Sequence, residues 1–300
     1  MKAKFILIIA LISTISVIDC FAQKEKQIEE PIKATSKMSK EEAKKIQKNV
    51  SEQYNLPISM SLKINENVKI EFVLIPPGEF NMGSYKTKEE LALKYGKLER
   101  IFDLEFPQHK VTITKPFYIG KFEVSQKQWA FVMGNNPSHH KNDQFPVEFV
   151  SWNDCLEFCN KLSELVGKEV RLPTEAEWEL ACRAGTISEF NFGDNSSPEY
   201  ANIDLNRPVN VGSYPPNAWG LYDMHGNVKE WVADDYYQYT SESKIDPIAP
   251  DYYGKMIRGG GYKGWITGSR SSHRYAHLES VSDQGAGLRL AISIITEPIK

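Results

Sequence analysis

The chain has 300 residues, of which 41% are hydrophobic, and a formal net charge of −3 at pH 7. This length suits one large domain or two small ones, and the hydrophobic share is ordinary for a globular protein with a real core. The near-balanced charge gives no global sign of a protein that binds nucleic acid or an anionic membrane.

The N-terminus has the pattern of an export signal. Two lysines precede an apolar run over residues 5–18, which is too short to favour a membrane-spanning helix. Ala22 supplies the small residue that signal peptidase prefers, which predicts a signal peptide over residues 1–22. In the alternative, Cys20 is the lipidated N-terminus of a lipoprotein, although Asp19 is a poor match to the small residue preferred there. Both interpretations predict an exported protein, periplasmic or secreted.

The mature chain would retain three cysteines, Cys155, Cys159 and Cys182. An odd number in an exported protein means that at least one is free. Cys155 and Cys159 lie four residues apart in a predicted helix, which is poor geometry for a disulfide, so Cys182 is the better partner for either. The alternative, which we favour, is three buried thiols that pack as small hydrophobic side chains.

A charged segment separates the signal from the packed domain. Residues 23–66 are rich in Lys and Glu and poor in apolar residues, which predicts a flexible leader. Residues 40–53 have helical character, but we expect their few apolar positions not to anchor a helix. The packed domain is predicted over residues 67–297.

The domain opens with strands. An apolar strand is predicted at residues 72–75, a Pro-Pro-Gly turn follows, and residues 80–83 form the hairpin partner. A polar insertion with helical character, residues 86–100, separates this hairpin from predicted strands at residues 109–113 and 117–119.

Three helices are predicted next, beginning at Ser125, Ser151 and Thr174. Each start places a hydroxyl three residues before a polar acceptor, which is the arrangement of a capping box. The last third of the chain is less regular and rich in Gly, Pro, Asn and aromatic residues, which predicts a loop-dense body. Strands near residues 256–258 and 288–293 are expected to close a sheet with the opening strands.

Long motifs stand in a fixed order along the chain: PGEFNMGS at residues 77–84, RLPTEAEWE at 171–179, GLYDMHGNV at 220–228 and IRGGGY at 257–262. Together they closely resemble the formylglycine-generating enzyme, or sulfatase-modifying factor, family over most of the mature chain. The resemblance implies an α+β, loop-rich, C-type-lectin-like fold of the sulfatase-modifying-factor type.

The resemblance also shows what is missing. Catalytic members of the family carry a GGSxxC motif and a second cysteine shortly after it, and these positions fall on Gly264 and Ser269. In those members the two thiolates bind copper(I), a soft ion that selects such ligands, and oxidise a substrate cysteine with oxygen. Gly and Ser cannot replace them, so we expect no copper and assign no catalytic residue. Gly261 and Lys229 depart from the family pattern near the same groove.

One structural calcium site is implied by the resemblance. Family members bind calcium through two side chains and two main-chain carbonyls, at the positions of Asp223, Gly226, Val228 and Glu230. Two acids in one loop suit a hard cation that takes about six to eight oxygen ligands. Taken alone, however, such a pair is more often a capping or salt-bridge feature. A second family calcium site needs an acidic loop after residue 203, which this chain shortens, so we expect that site to be absent.

A binding groove is predicted where the active members of the family hold their reactive centre. Tyr262, Trp265, His273 and Arg274 would line or rim it. Aromatic and cationic groups suit stacked sugars, a peptide, or anionic glycans, including sulfated ones. In the alternative, these residues merely cover the core.

The sequence therefore predicts an exported, non-copper member of the family. It would be an accessory or binding protein that uses a lectin-like groove for a protein or glycan partner, related to sulfatases or polysaccharides. No nucleic-acid partner is expected. A membrane contact is expected only if Cys20 is lipidated. The alternative is a sulfatase-maturation oxidoreductase, or another family enzyme, with a non-standard active site.

Overall fold

The strands of the computed structural model, which describes residues 32–33, 38–249 and 254–294, form three four-stranded sheets. In chain order the strands are β1 (Ile32–Lys33), β2 (Ser59–Lys63), β3 (Lys69–Ile75), β4 (Gly78–Met82), β5 (His109–Ile113), β6 (Phe117–Gly120), β7 (Lys229–Asp235), β8 (Lys244–Ile245), β9 (Lys255–Arg258), β10 (Tyr275–His277), β11 (Ala286–Leu288) and β12 (Ala291–Ser293). The sheet orders are β1-β4-β5-β8, β10-β9-β7-β11 and β12-β6-β3-β2. The predicted signal peptide and Cys20 lie outside the described residues.

The described residues form five α-helices and two 3-10 helices, and three of the α-helices begin where the sequence predicts capping. They are α1 (Lys40–Tyr54), α2 (Lys88–Tyr95), α3 (Gln126–Met133), α4 (Trp152–Val166), α5 (Glu175–Arg183) and the 3-10 helices Glu99–Glu105 and Ile266–Ser269. Ser125, Ser151 and Thr174 are confirmed as N-caps of α3, α4 and α5, each within a capping box. No helix in the described part of the chain is long and apolar enough to cross a membrane.

The two ends of the domain meet in one sheet, as predicted. β12 pairs antiparallel with β6, and β6 pairs antiparallel with β3. The prediction for residues 256–258 is wrong, because β9 pairs with β7 and β10 in a different sheet. All four residues of β9 are buried, since this strand lies inside its sheet and α5 packs against it.

Within the part of the leader that the structure describes, the chain is folded rather than flexible. The expected domain boundary near residue 66 is therefore wrong. Helix α1 buries Ala43, Gln47 and Val50, which share one helix face. The Gln47 amide donates a hydrogen bond to the main-chain oxygen of Leu74 at 2.9 Å. The following strand, β2, pairs with β3 along its whole length. A helix with few apolar residues is thus anchored by a polar side chain that satisfies a buried carbonyl.

The core contains the three cysteines as free, buried thiols, which confirms the favoured interpretation. Cys155 and Cys159 lie on the inner face of α4 with Phe158, whose ring stacks on Trp129 at a centroid distance of 5.0 Å. Burial raises the pKa of Cys159 to about 12. These thiols therefore pack as hydrophobic groups rather than acting as reactive ones.

Candidate functional site

A cleft of about 550 Å³ lies between residues 86–105, which extend the predicted insertion to the end of the 3-10 helix and which we call the inserted segment, and the loops that follow β9. We call it the basic cleft. Its wall from the 3-10 helix Glu99–Glu105 carries Arg100, Ile101 and Leu104, and the opposite wall carries Lys263, Gly264, Trp265, Thr267, His273, Arg274 and Tyr275. No Asp or Glu lines it among residues 38–249 and 254–294. The inserted segment, which the sequence offered only as an alternative interaction surface, thus supplies one side of the site.

The structure brings three of the four predicted groove residues to this cleft. Trp265 is 62% exposed, and the Lys97 ammonium lies 3.3 Å from the centroid of its ring. His273 and Arg274 also line the cleft. Tyr262 is instead 1% exposed, and its hydroxyl has no hydrogen-bond partner among the described residues. A stacking surface is therefore offered by Trp265, and Tyr262 packs behind the cleft.

Arg274 reaches the cleft, but its guanidinium is used within the protein. Its Nε and Nη2 donate to the two carboxylate oxygens of Glu175, both at 2.7 Å, and Nη1 donates to the main-chain oxygen of Leu104 at 3.0 Å. Although burial alone would lower the pKa of Arg274, Glu175 raises it above its usual range. Arg274 therefore fixes the wall of the cleft and has little capacity left for a ligand.

Glu105 holds the inserted segment against the C-terminal wall. Its carboxylate accepts hydrogen bonds from Arg270 Nη1 at 2.8 Å and from Ser272 Oγ at 2.7 Å, and lies 3.3 Å from His273 Nδ1. Burial opposes ionisation, but Arg270 and His273 lower the pKa of Glu105 to about 2. The carboxylate thus stays charged and joins two segments that are 165 residues apart in sequence.

The two positions that correspond to the family's catalytic cysteines differ in their exposure to the cleft. Gly264 lines the cleft, whereas Ser269 is buried and its hydroxyl has no partner among the described residues. Cys182 lies behind it, with Sγ 3.6 Å from His225 Nε2. That ring nitrogen accepts from the main-chain N–H of Asn191 at 3.0 Å, and Nδ1 donates to the Ser269 carbonyl at 2.7 Å. Burial lowers the pKa of His225 to about 4 and raises that of Cys182 to about 12, so the pair is neutral.

Asp223, the first predicted calcium ligand, is buried, and only one of its two carboxylate oxygens accepts a hydrogen bond. Its Oδ2 accepts a hydrogen bond from the main-chain N–H of Gly212 at 2.5 Å, whereas Oδ1 has no partner in the part of the chain that the structure describes. Burial raises the pKa of Asp223 to about 6. Within the same residues, no hydrogen bond ends on the main-chain oxygens of Gly226 or Val228. These three oxygens fit the requirement of a hard cation.

Glu230, the other predicted side-chain ligand, is engaged by partners. It accepts from Arg289 Nη2 at 2.7 Å and from Trp178 Nε1 at 2.6 Å. Burial, followed by the charges of Asp223 and Glu230, raises the pKa of the nearby Glu123 well above its usual value. A carboxyl group whose pKa is raised in this way is held in its neutral form by its surroundings, and a cation bound beside it would favour the charged form instead. Among the residues that the structure describes, no three His, Cys, Asp or Glu side chains are grouped so that they could hold a metal ion. A calcium ion here would therefore depend on the main-chain oxygens and on Glu230 sharing its carboxylate with Arg289 and Trp178.

Comparison with known proteins agrees with this architecture. The model of the sulfatase-modifying factor enzyme 1-like domain matches residues 61–294. Treponema denticola variable protein 1 superposes with a TM-score of 0.69 at 26% identity, covering 79% of this chain and 99% of that one. PvdO from Pseudomonas aeruginosa superposes with a TM-score of 0.64 at 27% identity, covering 78% and 98%. The predicted α+β, C-type-lectin-like fold is thus confirmed.

Two relatives differ in how much of their length is matched. The chaperone protein LppX of Paenibacillus barcinonensis is 30% identical over 235 residues, which cover 60% of this chain and 81% of LppX. The formylglycine-generating enzyme of Mus musculus is 31% identical over 205 residues, which cover 61% of this chain and 53% of that enzyme. The chain therefore spans about half the length of the mouse enzyme.

Replacing Arg274 by Ala is expected to impair folding rather than ligand contact alone, because Glu175 would be left buried without its partner. We expect the free energy of unfolding to fall by about 3–5 kcal/mol in denaturant titrations. The matched control is Arg100→Ala, which removes an exposed arginine with no ion pair among the described residues and should change stability by less than about 0.5 kcal/mol. Equal stability of the two variants would contradict the assigned role of Arg274.

Proposed function

We propose that this chain, which belongs to the sulfatase-modifying factor enzyme 1-like domain family, is an exported accessory or binding protein without copper chemistry. It uses the basic cleft to hold a protein or glycan partner. The observation that carries this proposal is an exposed tryptophan, Trp265, in a cleft without acidic lining, beside Gly264, where catalytic relatives need a thiolate.

The charges of the cleft support a ligand with anionic groups. Arg100 and Lys263 are exposed and form no ion pair with the described residues, while Lys229 pairs with Asp283. Uncompensated cations in a concave surface attract anions and raise their local concentration. The exposed Trp265 ring adds an apolar surface on which a sugar or an aromatic side chain can stack.

The rigidity of the walls supports a binding role as well. The buried carboxylates of Glu105 and Glu175 fix the segments that carry the contact residues. A site whose walls are ordered before binding loses less conformational entropy when the ligand arrives. The cleft is therefore suited to capture a partner without rearrangement of its main chain.

The comparisons support this proposal through the proteins that are matched over most of their length. LppX is named as a chaperone and is covered to 81%, and the Treponema denticola protein is named as a variable protein and is covered to 99%. The mouse formylglycine-generating enzyme is covered to 53%. LppX and the mouse enzyme match equal shares of this chain, 60% and 61%, so the difference lies in how much of each relative's own length is matched.

Trp265→Ala should abolish partner capture without unfolding the protein, because the side chain is mostly exposed. We expect at least about a tenfold loss of binding on glycan arrays and in pull-downs from exported-protein fractions. Phe131→Ala, which truncates an exposed aromatic residue outside the cleft, serves as the matched control. Capture by Trp265→Ala equal to that by wild type would refute the cleft as the binding surface.

The purified protein should not convert the cysteine of a CxPxR sulfatase peptide into formylglycine, because Gly264 and Ser269 cannot ligate copper(I) as thiolates do. Mass spectrometry of the peptide, after incubation with copper and oxygen, makes the measurement. A catalytic family member acting on the same peptide provides the positive control. Turnover by this protein would establish the alternative function, a sulfatase-maturation oxidoreductase.

We also propose that Asp223, the carbonyls of Gly226 and Val228, and Glu230 hold one structural calcium ion. Calcium that binds only the native state stabilises it by about 2.7 kcal/mol at a concentration one hundred times its dissociation constant. Chelation should therefore lower the melting temperature of wild type, whereas Asp223→Asn should melt at the same temperature with and without calcium. Asp204→Asn, in an exposed loop, should respond as wild type does. A wild-type melt that is indifferent to chelator would show that the site does not bind calcium.

A further inference from the structure

A second cleft, of about 590 Å³, lies on the other side of Trp265. We call it the hydroxyl-rich cleft, because hydroxyl groups are frequent in its lining. Its lining includes Tyr95, Lys97, Ser196, Asp204 and Tyr214. Its volume, like that of the basic cleft, falls within the range of about 300–1,000 Å³ that is usual for small-molecule sites.

The two clefts form one continuous groove. Gly264, Trp265 and Thr267 line both of them, so a ligand that leaves one cleft along the surface enters the other at Trp265. The Lys97 ammonium lies over one face of the Trp265 ring, 3.3 Å from its centroid. The side chain still exposes 62% of its surface, so a ligand would stack on the face that Lys97 does not occupy. An elongated ligand would therefore cross an aromatic platform midway along the groove.

The chemistry differs between the two halves. The basic cleft carries the unpaired cations Arg100 and Lys263 and no acid among the described residues. In the hydroxyl-rich cleft, the side chains of Ser196, Asp204 and Tyr214 form no hydrogen bond or ion pair with the part of the chain that the structure describes. A carboxylate beside two hydroxyls suits a ligand that presents many hydroxyl groups, and it disfavours a second anionic group there.

We infer that the groove binds an acidic oligosaccharide, with a sulfate or carboxylate group in the basic cleft and a neutral sugar in the hydroxyl-rich cleft. A sugar ring would stack on Trp265 between them, because the apolar face of a ring pairs well with indole. This inference rests on the proposed binding function and names its ligand class. An acidic peptide fits less well, because it has few hydroxyl groups for the second cleft and its negative charges would meet Asp204.

The inserted segment sets this specificity. It supplies Arg100 to the basic cleft and Tyr95 and Lys97 to the hydroxyl-rich cleft. Its position depends on contacts with the body of the domain, since Lys94 pairs with Glu189 at 2.6 Å and Glu105 pairs with Arg270. The insertion thus forms a shared wall along both halves of the groove.

Calorimetric titration of the purified full chain with defined saccharides tests the inference. The probes are disaccharides and tetrasaccharides of keratan sulfate and κ-carrageenan, in which sulfated and neutral sugars alternate, with cellotetraose as a neutral ligand and hexaglutamate as an acidic peptide. We expect at least one acidic tetrasaccharide to bind at least about tenfold more tightly than its disaccharide, cellotetraose and hexaglutamate. Its affinity should fall as salt is raised, because exposed charges are screened.

Substitutions in each cleft test the separate contributions of the two halves of the groove to binding. Arg100→Ala with Lys263→Ala should weaken both lengths of the acidic saccharide about tenfold, whereas Asp204→Ala should weaken the tetrasaccharide and leave the disaccharide unchanged. Trp265→Tyr should retain stacking and binding, and Trp265→Ala should lose both. Lys115→Ala, an exposed lysine outside both clefts, is the charge control.

Three results would overturn the inference: no acidic tetrasaccharide binds, affinity does not depend on length, or hexaglutamate binds more tightly than the saccharides. These results are distinguishable from failure of the proposed function. If Trp265 is needed for partner capture but no acidic saccharide binds or competes, the binding function stands and the ligand class is wrong. If Trp265→Ala captures partners as wild type does, the binding function itself fails.

Discussion

Buried pairs of carboxylate and guanidinium groups hold together the irregular half of this molecule. Arg258 on β9 donates hydrogen bonds through Nη1 to Glu175 and through Nη2 to Glu179, both on α5. Glu175 also binds Arg274. Each charge would be costly in the interior without its partner, so the segments that carry them are confined to one arrangement. In a region with short strands and long loops, few main-chain ladders are available to do this. The cleft exists because these pairs fix both of its walls.

The same interactions explain how this scaffold is held with Gly264 and Ser269 at the positions that correspond to the catalytic cysteines. Arg258 and Glu179 lie on the motifs that match the family, and they depend on each other rather than on a metal or a disulfide. Gly264 is exposed in a loop, where a Cβ atom would lie 3.3 Å from the main-chain oxygen of Gly261, a tight contact that only a small shift of the loop would relieve. Ser269 is buried, but its hydroxyl makes no hydrogen bond among the described residues. Neither position therefore supports the fold through its side chain.

Local features of the fold could be predicted from the sequence, and long-range ones could not. The capping boxes at Ser125, Ser151 and Thr174 involve residues only three positions apart, so a short stretch of sequence is enough to recognise them. The same signal was present at Ser39 and Thr87, where it marks α1 and α2, and it would have corrected the flexible leader. The resemblance located the cleft, but it gave no information about the insertion, whose contacts reach across the chain. Burial of Tyr262 and the pairing of Arg274 likewise depend on partners that no local pattern reveals.

The pair formed by Glu105 and Arg270 also bears on how the groove would behave in a changing environment. The proposed export would place the protein where the cell does not buffer the pH. Glu105 remains ionised down to a pH of about 2, guanidinium groups keep their charge in proteins, and burial lowers the pKa of His273 so that the ring is neutral near neutrality. The ion pair that fixes the walls of the basic cleft therefore keeps both of its charges in weakly acidic and weakly alkaline conditions. The shape of the groove should then depend little on acidity, whereas dissolved salt screens the exposed cations that line it.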